Sequence, residues 1–242
     1  MSEIRLIETQ DGSHSLYVPE LNETYHSFHG AIQESQHVFI RMGLHYFQDK
    51  FQSNKIKILE IGFGTGLNAL LSYKDLTKKK IKMWYDTIEP FPITEDIWKK
   101  LNYVEKIEME EGEAIYQQLH ESPWDTKNEL SEGYLFTKYK EKLEDIELQA
   151  NHYDMVFFDA FAPSKQPELW HLDQLKKVVE SMKDDAIFVT YCAQGQFKRD
   201  LREAGLEIES LPGPPGKKEM TRGWKVAIDV GEEGKEVDEV IS

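Results

Sequence analysis

The chain has 242 residues, 40% of them apolar and 30% charged, with a net charge of −15 and one cysteine. That length suits a single α/β domain burying about three quarters of its unfolded surface, and the lone Cys192 excludes internal disulfides and any thiolate-rich zinc site. No window approaches the roughly eighteen apolar residues of a membrane span, and Met1–Gln10, with Glu3, Arg5 and Glu8, lacks an apolar signal core, so a soluble cytoplasmic protein is expected.

Ile4–Thr9 and Ser15–Val18 flank Asp11-Gly12, a short hairpin signal. Residues 24–50 read as helical and rich in aromatics. His26, His29, His37 and His45 lie there at spacings unlike those of a metal site, so no metal is expected. Residues 1–50 thus form a leading segment, 51–230 the main domain, and 231–242 an acidic tail that reads as disordered, since Asp229 to Ser242 holds six acids against one Lys.

From residue 55 onward strands alternate with helices, the pattern of a mostly parallel sheet covered on both faces. Seven strands are expected, near 56–61, 83–88, 106–110, 154–159, 186–191, 206–210 and 224–229. Helices should fill 67–77, 94–101, 113–120, 168–182 and 196–204, the last stopped by Gly205. The stretch 121–149 is long for a connection and reads as a partly helical insertion near the site.

Leu59 to Asn68, Leu-Glu-Ile-Gly-Phe-Gly-Thr-Gly-Leu-Asn, runs an apolar strand into three glycines spaced by two, then into a helix. Such a turn lets backbone pass close beneath a bound nucleoside. A dinucleotide motif would need a third glycine where Leu67 stands. Glu60 before Gly62, Gly64 and Gly66 suits an adenosine and a short charged chain better than a pyrophosphate.

Three acids follow at successive expected strand ends. Glu89, after the second strand, can accept both hydroxyls of a ribose; Asp86, inside the strand, is the less favoured choice. Glu113, beyond Gly112, could take an adenine amino group or serve as a first-turn helix residue. Asp159 ends the apolar strand Phe157-Phe158 in a loop fixed by Pro163 and Pro167. A carboxylate there is presented at the crevice where open α/β sheets bind ligands, and burying it without a partner would cost energy.

A glycine loop with three acids and no place for a phosphate chain describes S-adenosylmethionine. Methyl transfer from a sulfonium is governed by alignment and exclusion of water, and Asp159 could accept a hydrogen bond from an attacking amine. Phe161 would shield the site.

Glu60-Ile-Gly-Phe-Gly-Thr-Gly-Leu-Asn68, Phe158-Asp-Ala-Phe-Ala-Pro-Ser-Lys-Gln-Pro-Glu-Leu-Trp170, Thr190-Tyr-Cys-Ala-Gln-Gly195 and the Gly213–Met220 loop resemble the MnmC-type methyltransferase domain in its stand-alone MnmD form. The resemblance covers roughly residues 14–230. It implies a Rossmann-like class I methyltransferase that N-methylates the aminomethyl group on the wobble uridine of tRNA, giving 5-methylaminomethyl(-2-thio)uridine. It also implies S-adenosylmethionine held by Glu60, Gly62, Phe63, Gly64, Thr65, Gly66, Asn68, Glu89, Glu113 and Asp159, with Asp159 and Phe161 facing the amine.

Fused relatives carry a flavin oxidoreductase domain that frees the amine from a carboxymethyl group; here that step is expected either to come from a separate upstream tRNA-modifying enzyme or to be unnecessary because the tRNA already carries the aminomethyl group. Despite the acidic total, Gln196–Lys225 has seven bases against five acids. Lys165, Lys217, Lys218 and Arg222 are the expected phosphate contacts, with Lys198 and Arg199 as weaker candidates. Methylation of a small-molecule or protein amine, and a non-catalytic nucleoside-binding module, stay open as alternatives.

Overall fold

A computed structural model of the chain describes residues 4–226. The acidic tail and the end of the strand expected at 224–229 lie outside the described residues. The chain opens with a small antiparallel sheet of β1 (Arg5–Glu8), β2 (His14–Val18) and β3 (Glu23–Thr24). Asp11 closes its first turn, accepting from the Ser13 N–H at 2.9 Å, and its other oxygen accepts from the Gln33 N–H at 3.0 Å, at the start of the following helix.

That helix is continuous over 31–51, comprising α1 (Ala31–Ser35), a π-helical stretch Gln36–His45 and α2 (Tyr46–Phe51). It begins later than the expected 24 because Tyr25 is still tied to the hairpin, donating its N–H to Leu16 O at 2.9 Å.

The main sheet follows: β4 (Lys55–Ile61), α3 (Leu67–Lys78), β5 (Lys82–Ile88), α4 (Glu95–Trp98), α5 (Tyr103–Ile107), α6 (Gly112–Glu121), β6 (Asn128–Ser131), β7 (Tyr134–Tyr139), β8 (Tyr153–Phe158), a 3₁₀ turn Pro167–Trp170, α7 (Leu172–Ser181), β9 (Met182–Thr190), α8 (Gly195–Glu203), β10 (Leu206–Pro212) and β11 (Glu219–Lys225). Its eight strands run in the order β10-β11-β9-β8-β4-β5-β7-β6, parallel from β9 to β7 and antiparallel at both edges.

Two apolar layers sandwich it. Ile56, Ile58, Tyr85, Phe136 and Phe157 pack beneath the 31–51 helix and α3 to α6, while Leu59, Ile61, Val156, Phe158 and Phe188 pack against α7 and α8. Side chains of one strand thus serve both layers by their period of two.

Two expectations need correction. No strand forms at 106–110: Tyr103, Val104 and Ile107 are buried with helical spacing on α5, which ends at Glu108 with φ 49. The place beside β5 is taken instead by β7, from the stretch read as an insertion. Tyr134 and Phe136, at alternating positions, bury fully against Phe63, Tyr73 and Tyr85. Residues 121–149 therefore add two strands to the sheet instead of a helical insertion, and the turn that leaves β7 still lies near the site, as expected.

Strand order reverses around β4, with β5 on one side and β8 on the other, so the carboxyl ends of these three parallel strands open a crevice.

Candidate active site

The crevice deepens into a cavity of about 620 Å³, within the range of small-molecule sites. Its floor is backbone. The turn after β4 donates Gly62 N–H to Ile88 O at 3.0 Å, and the turn after β8 donates Asp159 N–H to Ile61 O at 2.9 Å, so all three strand ends are stitched together. Gly62 has φ +93, and a Cβ there would lie 2.6 Å from Asp159 O. Only glycine lets these two turns touch.

The glycine turn is braced from beneath. Thr65 O accepts from the Tyr116 hydroxyl at 2.8 Å and from His120 Nε2 at 3.1 Å. Burial holds the His120 imidazole down at about 3 against that hydrogen bond, so it is neutral. His26, buried on the other side, is likewise held at about 4 by burial.

Glu89 spans the turn: one oxygen accepts from Gly64 N–H at 3.0 Å and the other from Phe91 N–H at 2.9 Å. Burial raises this carboxyl and the two amides oppose the rise. Asn68, in the first turn of α3, donates both amide hydrogens, to Glu60 Oε1 at 3.1 Å and to Asp159 Oδ2 at 2.8 Å. Thr87 holds the second Glu60 oxygen at 2.9 Å.

Glu60, wholly buried, is raised well above the carboxylate range by burial. Burial likewise lifts Asp159 to about 7; the Glu34 charge adds to this, while the Asn68 hydrogen bond and Lys217 oppose it. A carboxyl poised near neutrality at a cavity wall is suited to proton transfer.

The roof comes from distant parts of the chain. Tyr25 meets Phe161 edge-on at 5.0 Å. Glu34, on α1, accepts from Ser27 N–H at 2.7 Å and from Lys217 Nζ at 2.6 Å. Tyr191, just past β9, donates its hydroxyl to Ala160 O at 2.8 Å and carries the Lys217 ammonium 3.7 Å above its ring. The loop bearing Phe161 is fixed by Gln166, whose side-chain oxygen accepts from Phe161 N–H, and by Trp170, whose indole donates to Phe161 O at 2.9 Å.

Of the residues expected from sequence, Gly62, Phe63, Gly64, Thr65, Asn68, Glu89, Asp159, Phe161 and Lys217 line the cavity. Glu60 stands one layer behind, and Gly66 caps α3. Glu113 does not join them: it is exposed in the first turn of α6, because the strand that would have aimed it at the crevice does not exist. The turn that leaves β7 brings Lys142, Leu143 and Glu144 to the cavity instead.

The basic residues also divide. Arg222 is buried, paired with Glu209 at 2.6 Å and stacked 3.5 Å from Tyr46, and Lys217 faces inward. Arg222 is thus not free to meet a phosphate as expected, while Lys217 is engaged by Glu34 and only partly exposed. Lys198 is engaged by Glu219 at 3.0 Å. Lys218 and Arg199 are exposed and Lys165 is partly so.

Sequence reasoning missed Tyr25, Glu34 and Tyr191. Glu34, an acid on an otherwise apolar helical face, was the one available signal.

The residues present fit S-adenosylmethionine. The cavity is walled by six acids, Glu23, Glu34, Glu89, Glu144, Asp159 and Glu168, against Lys142 and Lys217, a field that favours a cation. Asn68 Oδ1 is buried without a partner and could accept from an ammonium. Glu89 can accept from a ribose diol.

Residues 110–226 match the S-adenosyl-L-methionine-dependent methyltransferase family. Fold, site and family together define the chain as an S-adenosylmethionine-dependent methyltransferase of the Rossmann-like class I. More particularly, it is a homologue of the MnmC proteins. It is 30% identical over 213 residues to the tRNA 5-methylaminomethyl-2-thiouridine biosynthesis bifunctional protein MnmC of Leptospira borgpetersenii, covering 84% of this chain and 32% of the relative.

With the same protein of Paraburkholderia xenovorans it shares 27% over 229 residues, 89% of this chain and 33% of the relative. The chain thus spans about a third of the length of these relatives. The crystal structure of MnmC2 from Aquifex aeolicus superposes with a TM-score of 0.75 at 25% identity, over 93% of this chain and 70% of that one. Among the described residues no helix is long and apolar enough to cross a membrane.

Proposed function

We propose that the chain N-methylates the aminomethyl group on the wobble uridine of tRNA, giving 5-methylaminomethyl(-2-thio)uridine, and that it works in the cytoplasm. The observation that carries this reading is the Asp159 carboxyl, presented to an acid-walled cavity on a loop fixed at both ends. The names of the MnmC relatives supply the tRNA substrate.

S-adenosylmethionine, when bound, supplies an electrophilic methyl group. Gly62 to Gly66, Glu89 and Asn68 would hold it, and Phe161 and Tyr25 would keep water away from the reacting centre. An amine attacks only through a free lone pair, so Asp159 accepts a hydrogen bond from its N–H and turns the lone pair toward the methyl. Methyl transfer breaks the methyl–sulfur bond, whose electron pair stays on sulfur, as the carbon–nitrogen bond forms; the nitrogen is left positive, and the same carboxylate would stabilise that charge or take the proton. Since the chemistry begins from an amine, the tRNA must carry its aminomethyl group before this step.

Lys165, Lys218 and Arg199 would serve as tRNA phosphate contacts.

The test is to incubate the protein with labelled S-adenosylmethionine and tRNA lacking the final methyl, then analyse the nucleosides. Labelled 5-methylaminomethyl nucleoside is the expected product. Its absence, with labelling of a small amine instead, would replace this reading by the one that the net charge of −15 favours.

A further inference from the structure

Glu34 and Lys217 lie 183 positions apart and meet at 2.6 Å on the cavity wall. Neither contact is incidental. Glu34 is 6% exposed, and its second oxygen is held by Ser27 N–H at 2.7 Å. Lys217 sits on a tight loop in which Lys217 N–H donates to Pro214 O at 2.9 Å and Gly213 N–H to Lys218 O at 3.1 Å. That loop is seated on the leading segment at two further points: His37 Nε2 donates to Pro212 O at 2.7 Å, and Gly216, at φ +84, lies so close to His29 that a Cβ would fall 1.9 Å from its ring.

Lys217 also marks a boundary. A second, open depression, lined by Pro163, Cys192, Gln194 and Lys218 among others, shares Ala162, Tyr191 and Lys217 with the main cavity. A base resting there would send a short arm past Tyr191 toward Asp159.

We propose that Glu34 and Lys217 are a positioning pair that latches the 213–218 loop across the mouth of the cavity and balances the charge that Asp159 meets when the amine arrives. The proposal rests on the tRNA-amine reading above. Asp159 is faced by Glu60 from β4, Tyr85 from β5, Glu34 from α1, Tyr191 after β9 and Lys217 from the loop. Lys217 is the one cation in that set. With both partners present their charges oppose each other at Asp159, Glu34 raising its carboxyl and Lys217 lowering it; with either removed, the other acts alone and in its own direction.

That opposition supplies the test. In kcat/KM against pH, which reports groups of the free enzyme, K217M leaves Glu34 uncompensated and moves the acid limb up by about one pH unit, whereas E34Q leaves Lys217 uncompensated and moves it down by a similar amount. Both variants raise KM for tRNA about tenfold, because the loop is unlatched, and leave the dissociation constant for S-adenosylhomocysteine within about twofold. K217R, which keeps the cation, restores the wild-type limb.

Shifts of the same sign in K217M and E34Q, or no shift in either, would overturn the proposal, since a merely structural role predicts no opposition. If the wild type methylates no tRNA, the functional reading falls but the latch is still decided: ¹³C-carboxyl titration of Asp159 must move in opposite directions in the two variants.

Discussion

The floor and the roof of the cavity are built on different principles. The floor is three strand ends whose turns touch backbone to backbone, each functional residue within a few positions of the strand that aims it. The roof is side chains from the leading segment, from the loop after β9 and from the 213–218 loop, joined by Glu34, Lys217, Tyr25 and Tyr191. A floor made this way leaves its turns little room to shift. A roof made of ion pairs and ring contacts can be tuned, and it opens where a large substrate must approach.

The sharpest way to break this contrast is to alter Asp159. Asp159→Ala should lower kcat/KM for tRNA by about 10²- to 10⁴-fold, the value of a general base, and leave cofactor affinity nearly intact by calorimetry. Equal losses in both would mean that Asp159 holds the cofactor rather than the amine.

The same residue should trade stability for function. Its folded pKa of about 7 stands above the ordinary 3.8, so folding favours the protonated form. Its contribution to stability is fully present below about pH 3.8 and lost as pH rises through about 7. Asp159→Asn should therefore be more stable than wild type above pH 7, by about 2–4 kcal/mol in urea unfolding. The gap should close by about pH 4; a gap that persisted there would place its origin in packing rather than in charge.

Glu89→Ala probes the floor's other function. Losing an acceptor of charge-assisted hydrogen bonds costs about 1.5–3 kcal/mol, so cofactor affinity should fall about 10- to 100-fold while kcat at saturating cofactor changes little. A fall in kcat alone would reassign Glu89 to the reaction.

The smallest effect separates the two kinds of basic residue. Lys218→Ala should weaken tRNA binding and reduce the salt slope of its affinity by about one. Arg222→Ala should lower the unfolding midpoint and leave the slope unchanged, because its charge is already spent on Glu209 and Met42 O. A salt slope lowered by Arg222→Ala would return that residue to the tRNA surface.

The floor was legible in sequence because it is local. Gly62, Glu89 and Asp159 each follow an apolar strand directly, so strand and site are read together. The roof was not, since nothing near Glu34 or Tyr191 in sequence indicates that Lys217 will reach them. The third acid failed for a related reason. Ile107 and Met109 alternate with glutamates as a strand would, yet Tyr103, Val104 and Ile107 form one helical face, and the aromatic alternation of Tyr134 and Phe136 buries more beside β5. With that exchange the acid after the third strand moved from Glu113 to the turn carrying Glu144.

The contact between Gly62 and the Asp159 carbonyl has a practical side. A catalyst meant to carry a group bulkier than methyl needs more room, and the floor has none to give: any side chain at position 62 would push Asp159 off its line. Enlargement has to come from Tyr25 and Phe161, whose edge-on rings can be trimmed one atom group at a time. Redesign for other alkyl donors is therefore a problem in the roof, and the glycines mark the part of the sequence to leave untouched.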